Sequence, residues 1–341
     1  MEVKKKISIV TPCYNEEENV MDVYGQVKQQ FDALPGYTYE HIFIDNASTD
    51  KTVAILRRLA REDRNVKLIL NIRNFGHIRS PYYGLLQATG DAAILMVADL
   101  QDPPTLIPTL IQKWEEGNRI VVAVKNKSKE NPLMFALRKL YYTLMAKSSA
   151  VDHISNFTGF GLYDQSFLQT LRDIDDPYPY FRGMVAELGA DLCFVNYTQP
   201  VRQKGKTKNN FYTLYDMAML GFVNHSKLPL RLASFIGFVV AALSLVVGLG
   251  YLVYKLMYWD SFDAGVAPLV IGLFFFSAVQ LLFIGVIGEY IGAIYTQVRK
   301  RPLVIERERV NFPPATPREK EEKSKDSKGG REQISNAPLF N

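Results

Sequence analysis

Short apolar runs alternate along the first half of the chain with segments whose apolar residues recur every three or four positions. Residues 7–10, 41–45, 66–70, 92–98 and 120–124 carry the runs and predict strands. Residues 19–34, 52–63 and 80–89 carry the helical spacing between them, with Gly90 as a stop for the third helix. A run without polar alternation suits a strand buried on both faces, as in a parallel sheet. The βαβα order therefore predicts an α/β fold, a mostly parallel sheet with helices on both faces. In such sheets ligands bind beyond the carboxyl ends of the strands. Three of those ends are polar here: Thr11-Pro12-Cys13-Tyr14-Asn15-Glu16, Asp45-Asn46-Ala47-Ser48-Thr49-Asp50, and Asp99-Leu100-Gln101-Asp102-Pro103-Pro104. Their convergence on one crevice is the strongest functional signal in the pattern.

Later in the chain the pattern changes. Residues 232–254 and 264–288 contain no charge, and about 20 apolar residues cross a bilayer core. Lys227 and Arg231 precede the first run; Arg299, Lys300 and Arg301 follow the second. The link between them, 255–263, holds one lysine and two aspartates. The basic excess places both termini and the α/β domain on the cytoplasmic side of a two-span hairpin in the inner or plasma membrane. Tyr251, Tyr254, Tyr258 and Trp259 suit an aromatic belt at the far interface, and Gly288 with Gly292 suits close helix contact. Residues 132–150 place Leu133, Leu137, Leu140, Tyr141 and Leu144 at helical spacing among Arg138, Lys139 and Lys147. That is either an amphipathic helix on the anionic leaflet or a domain helix with a solvated basic face. The expected organisation is an α/β domain over 1–210, a juxtamembrane helix over 211–228, the hairpin over 229–301 and a largely disordered tail over 302–341.

Composition narrows the chemistry. A net charge of +5 in 341 residues does not call for nucleic acid. Cys13 and Cys193 form no metal spacing, and a reducing compartment fits them. The apolar run before Pro12 is too short for a signal peptide. No glycine-rich phosphate loop of the Walker or dinucleotide type is present. The Asp99 turn offers carboxylate and amide oxygens without histidine or cysteine, which suits Mg²⁺ or Mn²⁺. The plainer reading is a strand-to-helix loop with Asp99 as a cap and the prolines opening a helix; Asp45 and Ser48 are likewise candidate caps. For a nucleotide in the crevice, Tyr14, Asp45 and Asp99 are candidates for a ring contact, a base-edge hydrogen bond and the pyrophosphate cation.

Ile9 to Val20, Ile44 to Asp50, Arg73-Asn74-Phe75-Gly76 and Ala98-Asp99-Leu100-Gln101-Asp102-Pro103-Pro104 together resemble family-2 glycosyltransferases of the GT-A fold, in the polyprenyl-phosphate branch that includes dolichyl-phosphate mannose synthases. The paired apolar runs and Gly288-Glu289-Tyr290-Ile291-Gly292 are similar to the GtrB-type members. The resemblance implies donor binding by Pro12, Tyr14, Glu16, Asp45, Asn46, Arg73, Gly76 and Asp99, and a cation on Asp99 and Gln101. It implies an acceptor-phosphate site of Lys125, Arg138, Arg202 and Lys208, the last two in the loop Arg202-Gln203-Lys204-Gly205-Lys206-Thr207-Lys208, with Arg182 a further basic candidate for it. Asp99, Arg138 and Arg202 would carry catalysis. Two departures stand out. Asn46-Ala47 replaces the usual Asp-Gly, and Val97 replaces the first Asp of Asp-x-Asp, so the cation loses one carboxylate. The activity implied is inverting transfer of a hexose, glucose from UDP-glucose, to a membrane polyprenyl phosphate, by a homo-oligomer such as a tetramer. A phosphate monoester is largely dianionic near neutral pH and serves as its own nucleophile, consistent with the lack of an evident general base. A membrane-anchored transferase with a saccharide acceptor and a non-catalytic nucleotide-sugar-binding subunit remain as alternatives.

Overall fold

The computed structural model describes residues 4–126, 154, 156–177, 179–189, 191–200, 228–258, 266–299 and 301–313. The predicted helix over 132–150, the loop 202–208, most of the juxtamembrane segment and the tail beyond 313 lie outside the described residues, and with them Arg138, Arg202 and Lys208.

In chain order the elements are β1 (Lys5–Cys13), α1 (Val20–Asp32), β2 (Tyr37–Asp45), α2 (Thr52–Glu62), β3 (Val66–Asn71), α3 (Gly76–Leu86), β4 (Ala92–Leu95), α4 (Ile107–Glu115), β5 (Ile120–Lys125), β6 (Phe157–Asp164), α5 (Gln165–Ile174), α6 (Phe181–Leu188), β7 (Leu192–Tyr197), α7 (Leu228–Met257), α8 (Val266–Val298) and β8 (Glu306–Val310). One sheet runs β7-β5-β6-β4-β1-β2-β3-β8. Its centre, β4-β1-β2-β3, is parallel as expected; β6 and β8 run antiparallel to their neighbours.

Successive side chains of a strand point to opposite faces, and the core divides accordingly. Ile7, Ile9, Phe43, Leu68 and Ile94 pack with α1, α2 and α4 on one face. Val10, Ile42, Ile44, Ile69 and Leu95 pack with α3, α5 and α6 on the other. Away from the crevice, Glu40 of β2 lies buried and accepts hydrogen bonds from Lys6 (2.7 Å), Lys67 and Ser8. Thr89, in the loop before β4, donates its N–H to the same carboxylate at 2.9 Å. One buried carboxylate thus joins β1, β2, β3 and that loop.

Some boundaries differ from the expected ones for identifiable reasons. Regular pairing of β4 stops at Leu95, although Met96 still donates to the Val10 carbonyl at 3.0 Å; beyond it, the Val97 N–H turns to the Asp102 carboxylate at 3.1 Å. Gly90 does not end a helix. It lies against β1, where a Cβ would meet the Lys6 carbonyl at 2.6 Å, and its N–H donates to Ser8 Oγ at 2.9 Å. The expected tail also does not begin at Pro302. The charged segment Glu306–Val310 joins the sheet as an edge strand on β3. Its polar sequence gives no strand signal, yet charge on an edge strand is a usual guard against further pairing.

The helices α7 and α8 are 30 and 33 residues long and carry large exposed apolar side chains such as Phe238, Leu243, Leu269 and Leu281. Phe275–Val298 is long and apolar enough to cross a membrane. At its end, Gln297 donates to Asp176, in the turn after α5, at 3.1 Å.

Candidate active site at the strand ends

The three polar strand ends meet where the sequence places them, and each holds one non-glycine residue in the left-handed region: Asn15 (φ 53°) after β1, Ala47 (φ 62°) after β2 and Leu100 (φ 59°) after β4. For alanine and leucine this conformation costs roughly 1–2 kcal/mol, and such strain persists only where the surroundings impose it. Here hydrogen bonds impose it. Asp45 accepts from the Ser48 N–H at 3.0 Å and from its hydroxyl. Ser48 Oγ accepts from the Asn15 N–H at 2.8 Å, and Asn15 Oδ1 from the Thr49 N–H at 2.7 Å. Thr52 Oγ1 accepts from the Glu16 N–H at 2.9 Å. Glu16 in turn accepts from Asn19 at 2.6 Å and so sets the entry to α1. Asp50 accepts from the Thr52 N–H at 2.9 Å, which satisfies the first N–H of α2.

Asp45 has no exposed surface. Burial raises its pKa against the opposing Ser48 and Ala47 hydrogen bonds and the charge of Arg307. It forms the floor beneath the Asn15–Ser48 turn and reaches a ligand only if that turn shifts. Pro12 and Tyr14 flank the turn and are partly exposed.

Asn46 acts as a tether. Its amide donates to Asn74 Oδ1 at 2.8 Å and to the Gly76 carbonyl at 3.1 Å, while its oxygen accepts from the Phe75 N–H at 2.8 Å. This fixes the segment Arg73–Gly76 against β2. Gly76, at φ 88°, occupies a conformation suited to glycine, and the Arg73 guanidinium lies over Phe75 at 4.3 Å. Asn46→Asp sets a carboxylate oxygen against two acceptors. It is expected to cost about 2 kcal/mol in chemical or thermal unfolding, so a neutral result contradicts the tether.

In the Asp99 turn the Gln101 N–H donates to Asp99 Oδ1 at 3.1 Å, and both side chains are partly exposed. Asp102 faces inward, accepting from the Val97 N–H and from the Tyr197 hydroxyl, each at 3.1 Å. Burial pushes its pKa up to about 6; the Val97 and Tyr197 bonds and the Lys125 charge oppose this, and Asp99 adds to it. Asp99, Asp102 and Lys125 therefore share one electrostatic neighbourhood, with Asp99 at its surface and Asp102 beneath. Arg182 lies in the first turn of α6, with Tyr180 6.0 Å from its guanidinium. The supporting role of Tyr197 left no trace in the sequence, because β7 is distant in the chain from the turn it holds.

No group of three or more His, Cys, Asp or Glu side chains suited to a metal occurs among the described residues. The donor set nonetheless fits a hard cation that keeps waters and leans on substrate phosphates, a mode needing only one or two protein carboxylates. Asp99 with Gln101 would hold it, and Asp102, committed to Val97 and Tyr197, would fix the turn.

Residues 8–172, covering β1 through most of α5, match the sequence profile of glycosyl transferase family 2. Over 301 residues, 88% of this chain and 98% of the other, the chain is 33% identical to the prophage bactoprenol glucosyl transferase homolog of Escherichia coli K12. The chain belongs to glycosyltransferase family 2. This glycosyltransferase is also 34% identical to the SfII prophage-derived bactoprenol glucosyl transferase of Shigella flexneri, over 88% of this chain and 97% of that one. It is 34% identical to the uncharacterized glycosyltransferase YkcC of Bacillus subtilis, over 87% and 92%. The mostly parallel sheet with its crevice at the strand ends is the GT-A architecture.

Proposed function

We propose that this glycosyltransferase moves glucose from UDP-glucose to a polyprenyl phosphate at the cytoplasmic face of a membrane, with inversion at the anomeric carbon. The observation that carries the reading is the meeting of three polar strand ends at one crevice, two of them strained, with Asp99 at its surface. The names of the relatives support the glucosyl donor and the lipid acceptor. The apolar α8, and α7 beside it, support a two-span anchor with both termini cytoplasmic.

In this reading, Pro12, Tyr14 and the Arg73–Gly76 segment line the nucleoside end of the crevice, while Asp45, Asn46 and Glu16 hold its walls. Asp99 and Gln101 would hold a divalent cation, which would supply charge neutralisation for the leaving diphosphate. Lys125 and Arg182, with Arg138, Arg202 and Lys208 from outside the described residues, set the acceptor phosphate in line for attack. The phosphate oxygen forms the new bond to the anomeric carbon as the bond to the nucleoside diphosphate breaks. The acceptor is already an anion, so no proton needs to be removed from it. Self-association, as in a tetramer, is part of the same proposal.

Membranes containing the protein, incubated with radiolabelled UDP-glucose and polyprenyl phosphate, are expected to yield label in the organic extract. Label that passes into a polysaccharide fraction, separated from unreacted donor, favours a saccharide acceptor instead. The absence of any transfer favours a binding subunit.

A further inference from the structure

The chain that leaves α8 returns to the crevice. Antiparallel pairing on β3 brings the start of β8 to the carboxyl end of that strand, where Asn71 faces Glu306, and the Ile72 N–H donates to the Ile305 carbonyl at 3.0 Å. The register slips at this end. Leu70 faces Glu308 and Asn71 faces Glu306, which leaves Arg307 as the extra residue of a bulge. Bulges of this kind often re-aim a side chain beside a functional site.

The neighbours of Arg307 are engaged in holding the strand. Glu306 accepts from Tyr83 at 2.8 Å and pairs with Arg309, Glu308 pairs with Arg57, and Arg309 donates to Gln87 at 2.8 Å. Arg307 is exposed, and its charge acts on Asp45, the floor of the crevice. The matched family profile stops at residue 172, far short of this strand.

We infer that Arg307, carried on the β8 bulge beside the β2 and β3 ends, binds the base of the donor nucleotide through the base's carbonyl oxygens. The inference rests on the nucleotide-sugar reading above. Position decides between base and diphosphate. β8 lies four strands from β4, which bears the Asp99 turn. At about 4.8 Å per strand that is roughly 19 Å, beyond the reach of one arginine toward a diphosphate held at Asp99. The β3 and β2 ends, one and two strands away, lie within reach. A guanidinium is a planar fork of donors with no acceptor. Set against the 4-position of the base, it therefore suits the O4 acceptor of a uracil over the amino donor that a cytosine presents there.

The test is nucleotide binding to the full-length, detergent-solubilised protein, using UDP, CDP and pyrophosphate as probes. Arg307→Gln and Arg307→Lys are each expected to weaken UDP about tenfold, to narrow the preference for UDP over CDP, and to leave pyrophosphate unchanged. The melting temperature should hold, since the side chain is exposed. Unchanged UDP binding in both variants overturns the assignment, as does an equal loss for UDP and pyrophosphate. A wild-type protein that binds no UDP overturns the assignment together with the nucleotide-sugar reading, whereas the first two results leave that reading standing.

Discussion

Asp99→Ala is expected to lower sugar transfer about a hundred- to a thousandfold, the scale seen when one preorganised charge-stabilising group is removed, and to leave the fold intact. The large effect follows from the composition of the turn. Val97 stands where a second carboxylate would help, and Asp102 is turned inward to Val97 N–H and the Tyr197 hydroxyl. In the proposed reading a cation would thus have only Asp99 and the amide of Gln101 to hold it. The fold survives because Asp99 is partly exposed and accepts from Gln101 within its own turn, a bond worth about 1 kcal/mol. Purified variant and wild type, compared in the lipid-extraction assay over a range of Mg²⁺ and Mn²⁺ with melting temperature as control, provide the check. Wild-type turnover in the variant would remove the cation from Asp99.

The second large effect is on stability. Glu40→Ala is expected to cost about 3–5 kcal/mol, the usual result of breaking a buried ion pair from one side. It leaves Lys67 buried with no compensating charge and removes the acceptor for Ser8, Lys6 and the Thr89 N–H. Burial opposes ionisation of Glu40, but the bonds from Lys6, Lys67, Ser8 and Thr89 outweigh it and hold the pKa at about 2, against an ordinary 4.5. The unfolded chain therefore takes up this proton from about pH 4.5 downward while the fold refuses it. The stabilisation is complete above pH 4.5 and drains away toward pH 2. His41 acts in the same direction at higher pH. Fully buried, with Nε2 2.9 Å from Thr11 Oγ1, it is held at about 3 against an ordinary 6.5. Its contribution is present above pH 6.5 and falls with acid toward pH 3, by about 1.4 kcal/mol per pH unit. The unfolding free energy should hold from pH 7.5 to about 6.5, decline with that slope from there to pH 5 in the wild type, and flatten in His41→Gln. A flat wild-type profile would mean that His41 takes up a proton without unfolding.

Much of the architecture is legible in the apolar pattern because burial on both faces leaves few sequences open to a central strand. The five predicted strands all form, with β4 ending early where Asp102 captures the Val97 N–H. The three polar ends are legible for the same reason: a buried run that stops abruptly on acids and amides marks the rim of the sheet. The individual roles of those residues are less so. Asp45 reads as a ligand-binding carboxylate, yet it is buried under Ser48; Asn46 reads as a weakened family position, yet its amide bonds to Asn74, Phe75 and Gly76. A hydrogen-bond partner depends on where a side chain is aimed, and hydrophobic periodicity does not encode aim.

What the sequence alone determined is the α/β order, the crevice and its polar rim, and the two uncharged apolar runs 232–254 and 264–288, since each follows from local runs of residues. Only the tertiary structure decided that the charged segment after α8 comes back to close the sheet on β3, and that its bulged Arg307 stands near Asp45. An edge strand is stabilised by main-chain hydrogen bonds to a partner far away in the chain. Five charged or β-branched residues in a row carry no record of that partner.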